Sequence, residues 1–244
     1  MVKLTQEFVD AALELADNGQ SKINEREREL FGLSSPRLKA LLNNLCSLKG
    51  TNYLELGVYR GATLISAIYG NPGCKAVGVD NYKYDEREPK RWAAEGDIWH
   101  NMKSQLEANL ERYSDPNLPV DLNNVSIIQS DFEEVDWSTQ PKFNVVFFDI
   151  TPTSEQHYDA FFNKVLPSLS SDSVVVFSNY SNQKHAKELD AALAKHSDKI
   201  EVQWRKQRVS GGLSDATQYY SGIAIVGLKK SVVKAVSKTV KTDA

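Results

Sequence analysis

YLELGVYRGATLISAI, residues 53–68, is the stretch from which the rest of the chain can be read. An apolar run passes through Glu55, turns at Gly57 and Gly61, and enters a helix at Thr63. Glycine at such points lets main chain approach a ligand where a Cβ would collide, and the first amides of a helix lack partners within it. Strand, glycine turn and helix in that order predict a βαβ unit with a small charged ligand at the turn. The dinucleotide signature GxGxxG needs a second, closely spaced glycine that ExGxxxG lacks, so NAD is disfavoured.

Moving outward, short apolar runs recur between helical segments: Asn52 to Leu56, Lys75 to Val79, Val125 to Gln129, Asn144 to Phe148 and Ser173 to Phe177. Runs of this length read as buried parallel strands of an α/β fold. Two later runs, Glu201 to Arg208 and Gly222 to Leu228, are separated only by a Gly- and Ser-bearing turn region and predict a closing antiparallel hairpin. Acids stand at successive strand ends. Asp80 follows Val79, where a carboxylate can accept two hydrogen bonds from a ribose diol. Ser130 and Asp131 follow the third strand and suit an adenine edge, and Asp149 ends the fourth beside the cleft.

Two helices precede the first strand. Thr5 caps one running to Asp17, with Phe8, Ala11, Ala12, Leu15 and Ala16 as its apolar stripe. Ser35 and Pro36 open another, carrying Leu38, Leu41, Leu42, Leu45 and Leu48 and closed by Gly50. Residues 1–35 thus form a helical extension. The span 81–124 is long for a connection and predicts an inserted cap: a helix capped by Asp97 and striped by Ile98, Met102, Leu106 and Leu110. Tyr82, Tyr84, Trp92 and Trp99 beside it either pack that helix on the sheet or wall a substrate. Residues 231–244 form a Lys-rich tail with no assigned role.

The 244 residues fit one domain, 41% hydrophobic and 25% charged, ordinary globular values. With 29 Lys and Arg against 32 Asp and Glu, the net charge of -3 gives no basic excess for nucleic acid. Cys46 and Cys74 match neither a disulfide framework nor a metal spacing. No stretch has the length and character of a signal peptide or a membrane span, so no membrane partner and a cytoplasmic location are expected. Oligomeric state is not legible.

Together these features resemble the class I S-adenosylmethionine-dependent methyltransferases, nearest to the catechol-type and bacterial small-molecule O-methyltransferases, over residues 36–228. The resemblance implies a Rossmann-like seven-stranded, mostly parallel sheet of order 3-2-1-4-5-7-6, the last strand antiparallel, with helices on both faces. It implies S-adenosylmethionine as cofactor. The signature ELGxYxG, matched by Glu55, Leu56, Gly57, Tyr59 and Gly61, would bind its methionine end, with Thr63 as the helix-start hydroxyl. The ribose acid falls on Asp80 and the adenine loop on Ser130 and Asp131, with Asp149 completing the site.

The implied activity is methyl transfer to a small-molecule acceptor, in the first place a hydroxyl. Metal-dependent relatives add an Asp-Asn pair after the fifth strand to the fourth-strand acid; here the pair is Ser178 and Asn179, one carboxylate short. That leaves two oxygen ligands, which with waters would hold Mg²⁺ only weakly, so a divalent metal is not expected to be required and no metal ligands are assigned. The basic residue of catechol-type enzymes is also missing from DITPTSEQHY, residues 149–158, which has Pro152 near that point. His157 resembles, at shifted spacing, a His after the fourth strand of bacterial relatives and is a candidate base. Asn179 and Tyr180 are candidate acceptor contacts. His196 suits the end of a helix spanning Ala186 to Lys195, and His100 a helix surface. Two alternatives stand beside this reading: a non-catalytic protein with the same fold, and a methyltransferase of protein or nucleic acid, which the acidic balance and the absence of an NPPY-type motif oppose.

Overall fold

Strand β1, Asn52–Leu56, sits between β2, Lys75–Asp80, and β4, Phe143–Phe148, and is parallel to both. The computed structural model of the chain describes residues 4–24, 30–83, 101–113, 120–150, 154–209, 212 and 215–229. With β3 (Val125–Gln129), β5 (Leu169–Phe177), β6 (Ile200–Gln207) and β7 (Ile223–Leu228) the strands form one sheet of order β3-β2-β1-β4-β5-β7-β6. Strand β7 runs antiparallel to β5 and β6. The implied order and the closing hairpin are therefore observed. Strand β5 begins at Leu169, before the expected Ser173, because its polar opening residues still pair Leu169 with Phe143 of β4.

Register positions the site. Leu56 pairs with both Val79 and Phe148, and Phe148 pairs with Phe177. The next residues along, Gly57, Asp80, Asp149 and Ser178, consequently emerge in one row. Main-chain bonds hold that row level: Gly57 N donates to Val79 O at 2.9 Å, Asp149 N to Leu56 O at 2.8 Å and Ser178 N to Phe148 O at 3.0 Å. The chain leaves β1 toward β2 on one side and reaches β4 on the other, which opens a crevice beyond the strand ends at this reversal.

Side-chain alternation gives each face its own core. Leu54, Leu56, Val146 and Phe148 face helices α5 (Glu155–Ala160) and α6 (Gln183–Lys195), where Phe148 packs on Phe161 and Phe177 with ring centroids 5.6 and 5.5 Å apart. Tyr53, Val145 and Phe147 face α1 (Gln6–Asp17), α2 (Pro36–Leu45) and α3 (Ala62–Ile68). Thr5 and Ser35 cap α1 and α2 through their hydroxyls, as expected.

The buried stripe of α1 is Val9, Ala12, Leu13 and Ala16. Leu15 is 42% exposed, so the helix is turned by one position from the stripe read in the sequence; spacings of three and four accommodate both sets, and packing on α2 selects Leu13. Helix α2 stops at Leu45, leaving Leu48 in the following turn. Of the inserted span, α4 (Met102–Arg112) buries Met102 and Leu106. Asp97, Ile98, Tyr84, Trp92, Trp99, His100, Pro152 and the 231–244 tail lie outside the described residues. No described helix is long and apolar enough to cross a membrane.

Candidate functional site

A cavity of about 1030 Å³ opens over the ends of β1, β2 and β4. That volume holds a nucleoside and a second small molecule, being at the upper end of ligand pockets, about 300–1,000 Å³. Gly57 lies on its wall with φ at +90°, and a Cβ there would stand 2.3 Å from the Asp149 carbonyl oxygen. The glycine is required by main chain crossing main chain. Gly61 has φ at +78° and caps α3, but a Cβ would meet Leu106 Cδ1 at 2.4 Å. Its glycine answers to the positive φ and to the seat of α4, and Gly61 is not among the residues lining the cavity.

Asp80 organises the turn. Its Oδ2 accepts from the amides of Val58 and Tyr59, both at 2.8 Å, and its Oδ1 from the amide of Tyr82 at 2.7 Å. Tyr59 and Tyr82 take positive φ, 54° and 51°, so these bonds hold backbone that an L-residue adopts reluctantly. A carboxylate has about four acceptor positions. Three are taken by main chain, and the remaining capacity is on Oδ1.

Glu55 stands behind the wall. It is fully buried, accepting from Tyr53 Oη at 2.5 Å and Thr63 Oγ1 at 2.7 Å. Burial pushes its carboxyl up to about 8, against the pull of those two bonds, and the nearby Asp149 and Asp80 push it the same way. Thr63 borders the cavity, yet its hydroxyl is donated inward. Both residues therefore brace β1 against α3, with Thr63 on the cavity wall and Glu55 behind it.

On the β3 side, Ser130 N donates to Asp80 O at 3.1 Å, and Asp131 is held by Asn81 Nδ2 and Lys83 Nζ. The lysine keeps the Asp131 carboxyl below its usual range. His157, in the first turn of α5, faces the same loop: its Nε2 is 3.8 Å from Glu133 Oε1 and its ring lies edge-on to Phe132. It lines the cavity in company with the adenine-side loop.

Asp149 is raised by burial to about 6; bonds from Ser178 and Asn179 pull it down, and Asp80 adds repulsion. Ser178 Oγ donates to Asp149 Oδ1, and Asn179 Nδ2 donates to the same oxygen at 3.2 Å. Asn179 holds φ at +63° and lines the cavity. Tyr180 does not: its hydroxyl turns to Asp190 of α6 and its ring is buried in the core, which corrects its expected place on the cleft. A divalent metal does not fit this donor set. The one carboxylate present is occupied by a hydroxyl and by the donor end of an amide, and among the described residues no three His, Cys, Asp or Glu side chains converge on a metal position.

Among the cavity residues without a site role in the sequence reading are His185 and Ser34. Helix α6 begins at Gln183, capped by Asn182, whose Oδ1 accepts from the amides of Lys184 and His185. That start, earlier than the expected Ala186, puts His185 in the first turn and on the cavity wall. Ser34 arrives from the N-terminal extension, because the cap residue Ser35 also bonds Gln218 O and Tyr220 N across the chain. The run from Ser178 to Asn182, polar and following an apolar strand, was the available signal for His185; nothing local signals Ser34.

No family model and no curated protein matches the sequence. Solved structures do. The methyltransferase PaMTH1 of Podospora anserina, bound to S-adenosylhomocysteine, aligns at TM-score 0.57 and 14% identity over 94% of this chain and 98% of its own. The chain has the fold of the class I methyltransferases. The O-methyltransferase TomG of Streptomyces achromogenes, involved in tomaymycin synthesis and solved with S-adenosylmethionine, aligns at 0.55 and 14% over 94% and 92% of the two chains. A precorrin-6y C5,15-methyltransferase of Geobacter metallireducens aligns at 0.51 and 14% over 85% and 96%.

Proposed function

We propose that this chain binds S-adenosylmethionine in the cavity and transfers its methyl group to a hydroxyl of a small molecule. The observation that carries the reading is the charge of the floor. Asp80 and Asp149 stand in one row; Asp149 is raised chiefly by burial, with Asp80 adding repulsion, while Glu55 behind them, raised to about 8 chiefly by burial, is largely neutral near pH 7. Acids that repel one another are relieved by an arriving cation, so the site favours a sulfonium with its ammonium and disfavours the pyrophosphate of a dinucleotide.

When bound, the sulfonium supplies an electrophilic methyl group. The residues of this chain bind and orient. Gly57 and Tyr59 present main chain to the methionine end, and the remaining position on Asp80 Oδ1 accepts from a ribose hydroxyl. Ser130 and Asp131 border the adenine, with His157 and Phe132 as the wall beside them. His157 is thereby reassigned from base to nucleoside wall. The complexes of the same fold, one with S-adenosylhomocysteine and one an O-methyltransferase with S-adenosylmethionine, support the choice of cofactor and of a small acceptor, at 14% identity.

Calorimetry with S-adenosylhomocysteine tests this. The wild-type chain is expected to bind one molecule, and Asp80→Ala to bind at least tenfold more weakly, since charge-assisted bonds of about 1.5–3 kcal/mol are lost. Absence of binding to the wild type would remove the proposal. Binding without formation of S-adenosylhomocysteine from S-adenosylmethionine, across phenols, alcohols and amines, would leave a binding protein.

A further inference from the structure

The two halves of the cavity differ in charge. Every charged residue on its described wall, such as Asp80, Lys83, Asp131, Glu133, Asp149 and Lys164, belongs to the loops after β2, β3 and β4 or to α5 and the turn that continues it. The opposite half is made by residues 32–34, the post-β5 turn with the start of α6, and the segment before β7, and its described wall carries no acid, lysine or arginine. These segments are built together: Asn179 N donates to Ser221 Oγ at 3.2 Å, Ser181 N to Ser221 O at 2.7 Å, and Ser35 Oγ to Gln218 O at 2.7 Å.

Two polar atoms in this half are out of water and have no hydrogen-bond partner, Ser34 Oγ and His185 Nδ1. Ser34 is 7% exposed. Buried polar atoms of folded proteins are usually paired. Other atoms such as Ser66 Oγ and Trp204 Nε1 are also unpaired here, and so is Glu188 Oε2 one turn along α6 from His185. Ser34 and His185 are the two whose residues line this uncharged half of the cavity, and so mark where a ligand's polar group belongs. From this we infer that the uncharged half is the acceptor site, that it takes a neutral hydroxyl compound, and that His185 Nδ1 receives the hydroxyl proton while Ser34 hydrogen-bonds the acceptor. The inference rests on the methyl-transfer reading above and names its acceptor class and base.

The chemistry balances. The acceptor oxygen bonds the methyl carbon as the carbon–sulfur bond breaks, the bonding pair goes to sulfur, and the hydroxyl proton goes to Nδ1. The products are a neutral ether, a neutral thioether and an imidazolium that later releases its proton to water. Burial holds the His185 imidazole below its usual value, with Glu188 opposing and Lys184 assisting, so the ring is neutral and able to accept near pH 7. Asn182, Tyr220 and Ser221 border the same half and bring no charge, and Tyr220 is the only titratable side chain among them. On the described wall itself a carboxylate or phosphate acceptor meets no cation and an ammonium no anion; Lys184 and Glu188, which act on His185 from α6, pair with each other at 3.8 Å and do not line the cavity.

The test uses the full chain labelled with ¹⁵N-histidine and saturated with S-adenosylhomocysteine, its His185 resonance assigned through His185→Asn. Phenol is titrated, with benzoate and benzylamine as charged counterparts. Phenol is expected to shift the His185 signal, to bind at least threefold more weakly to Ser34→Ala, and to exceed both charged probes in affinity. S-adenosylhomocysteine binding is expected to stay within twofold in both variants, and His185→Asn to slow methylation of phenol by a hundredfold or more. An unmoved His185 signal with the nucleoside bound, equal binding of benzoate or benzylamine, or an equal loss of nucleoside affinity in His185→Asn would overturn the inference. Failure of the wild type to bind the nucleoside would instead overturn the cofactor reading, and this assignment with it.

Discussion

Gly57 and Asp149 meet main chain to main chain: the position of a Cβ on Gly57 is 2.3 Å from the Asp149 carbonyl oxygen and 2.8 Å from its carbonyl carbon. The contact follows from the β1–β4 register, in which Leu56 pairs with Phe148 and the Asp149 amide then donates back to Leu56 O. Backbone atoms of two paired strands cannot move aside singly.

Gly57→Ala therefore carries both a positive-φ penalty and an overlap with rigid main chain. Each costs about 1–3 kcal/mol, so a loss of about 2–6 kcal/mol in urea unfolding is expected, together with weaker S-adenosylhomocysteine binding. Gly73→Ala is the control, because a Cβ there meets nothing within 4 Å and the residue's φ is ordinary. Its effect is expected to stay within about 0.5 kcal/mol. Equal effects at the two glycines would show that the main chain at Asp149 yields to a methyl group.

Glu55 ties stability to pH. Its carboxyl rises from 4.5 in the open chain to about 8 in the fold, chiefly through burial. Between those values the folded state keeps a proton that the unfolded state has released, so unfolding free energy falls as pH rises through that window and stays low above it. Asp149, raised from 3.8 to about 6, acts with the same sign at the acid end. The window from pH 6 to 8 then belongs mainly to Glu55. Glu55→Gln keeps the shape without the charge, and the Tyr53 and Thr63 hydroxyls can rotate to accept from its amide. Urea midpoints of the variant are expected to be nearly flat from pH 6 to 8 while those of the wild type decline. Parallel declines would show that Glu55 titrates normally.

The parallel strands were legible because a strand buried on both faces must be a short apolar run, and the five such runs lie within a few residues of their observed bounds. The order in which they pair came through family likeness, since periodicity says nothing about neighbours. Strand-end acids were legible as positions but not as partners. Asp80 looks the same in sequence whether it faces a ribose or three main-chain amides, and Glu55 gives no local sign that Tyr53 and Thr63 enclose it. Ser34 and His185 depend on how residues 30–35 cross the segment before β7 and on where α6 starts, which packing and a cap decide.

Asp149, Ser178 and Asn179 close on one another, with a hydroxyl at position 178, where the resemblance read from the sequence implied an acid for metal-dependent enzymes. Ser178→Asp would remove a donor from the buried Asp149 and set a second carboxylate against it. Without metal the variant is expected to lose about 2–4 kcal/mol at a pH of about 7.5, from the lost hydrogen bond and the like-charge pair, and to melt lower in EDTA. Magnesium, which takes carboxylate oxygens, is expected to raise the variant's Tm at millimolar concentration and to leave the wild type unchanged. The difference arises because the wild-type triad has already satisfied its one buried charge with neutral donors. A wild-type Tm that rises with magnesium and falls with EDTA would mean that Asn179 and Ser178 reorient to ligate, and the hydrogen-bonded closure around Asp149 would have to be abandoned.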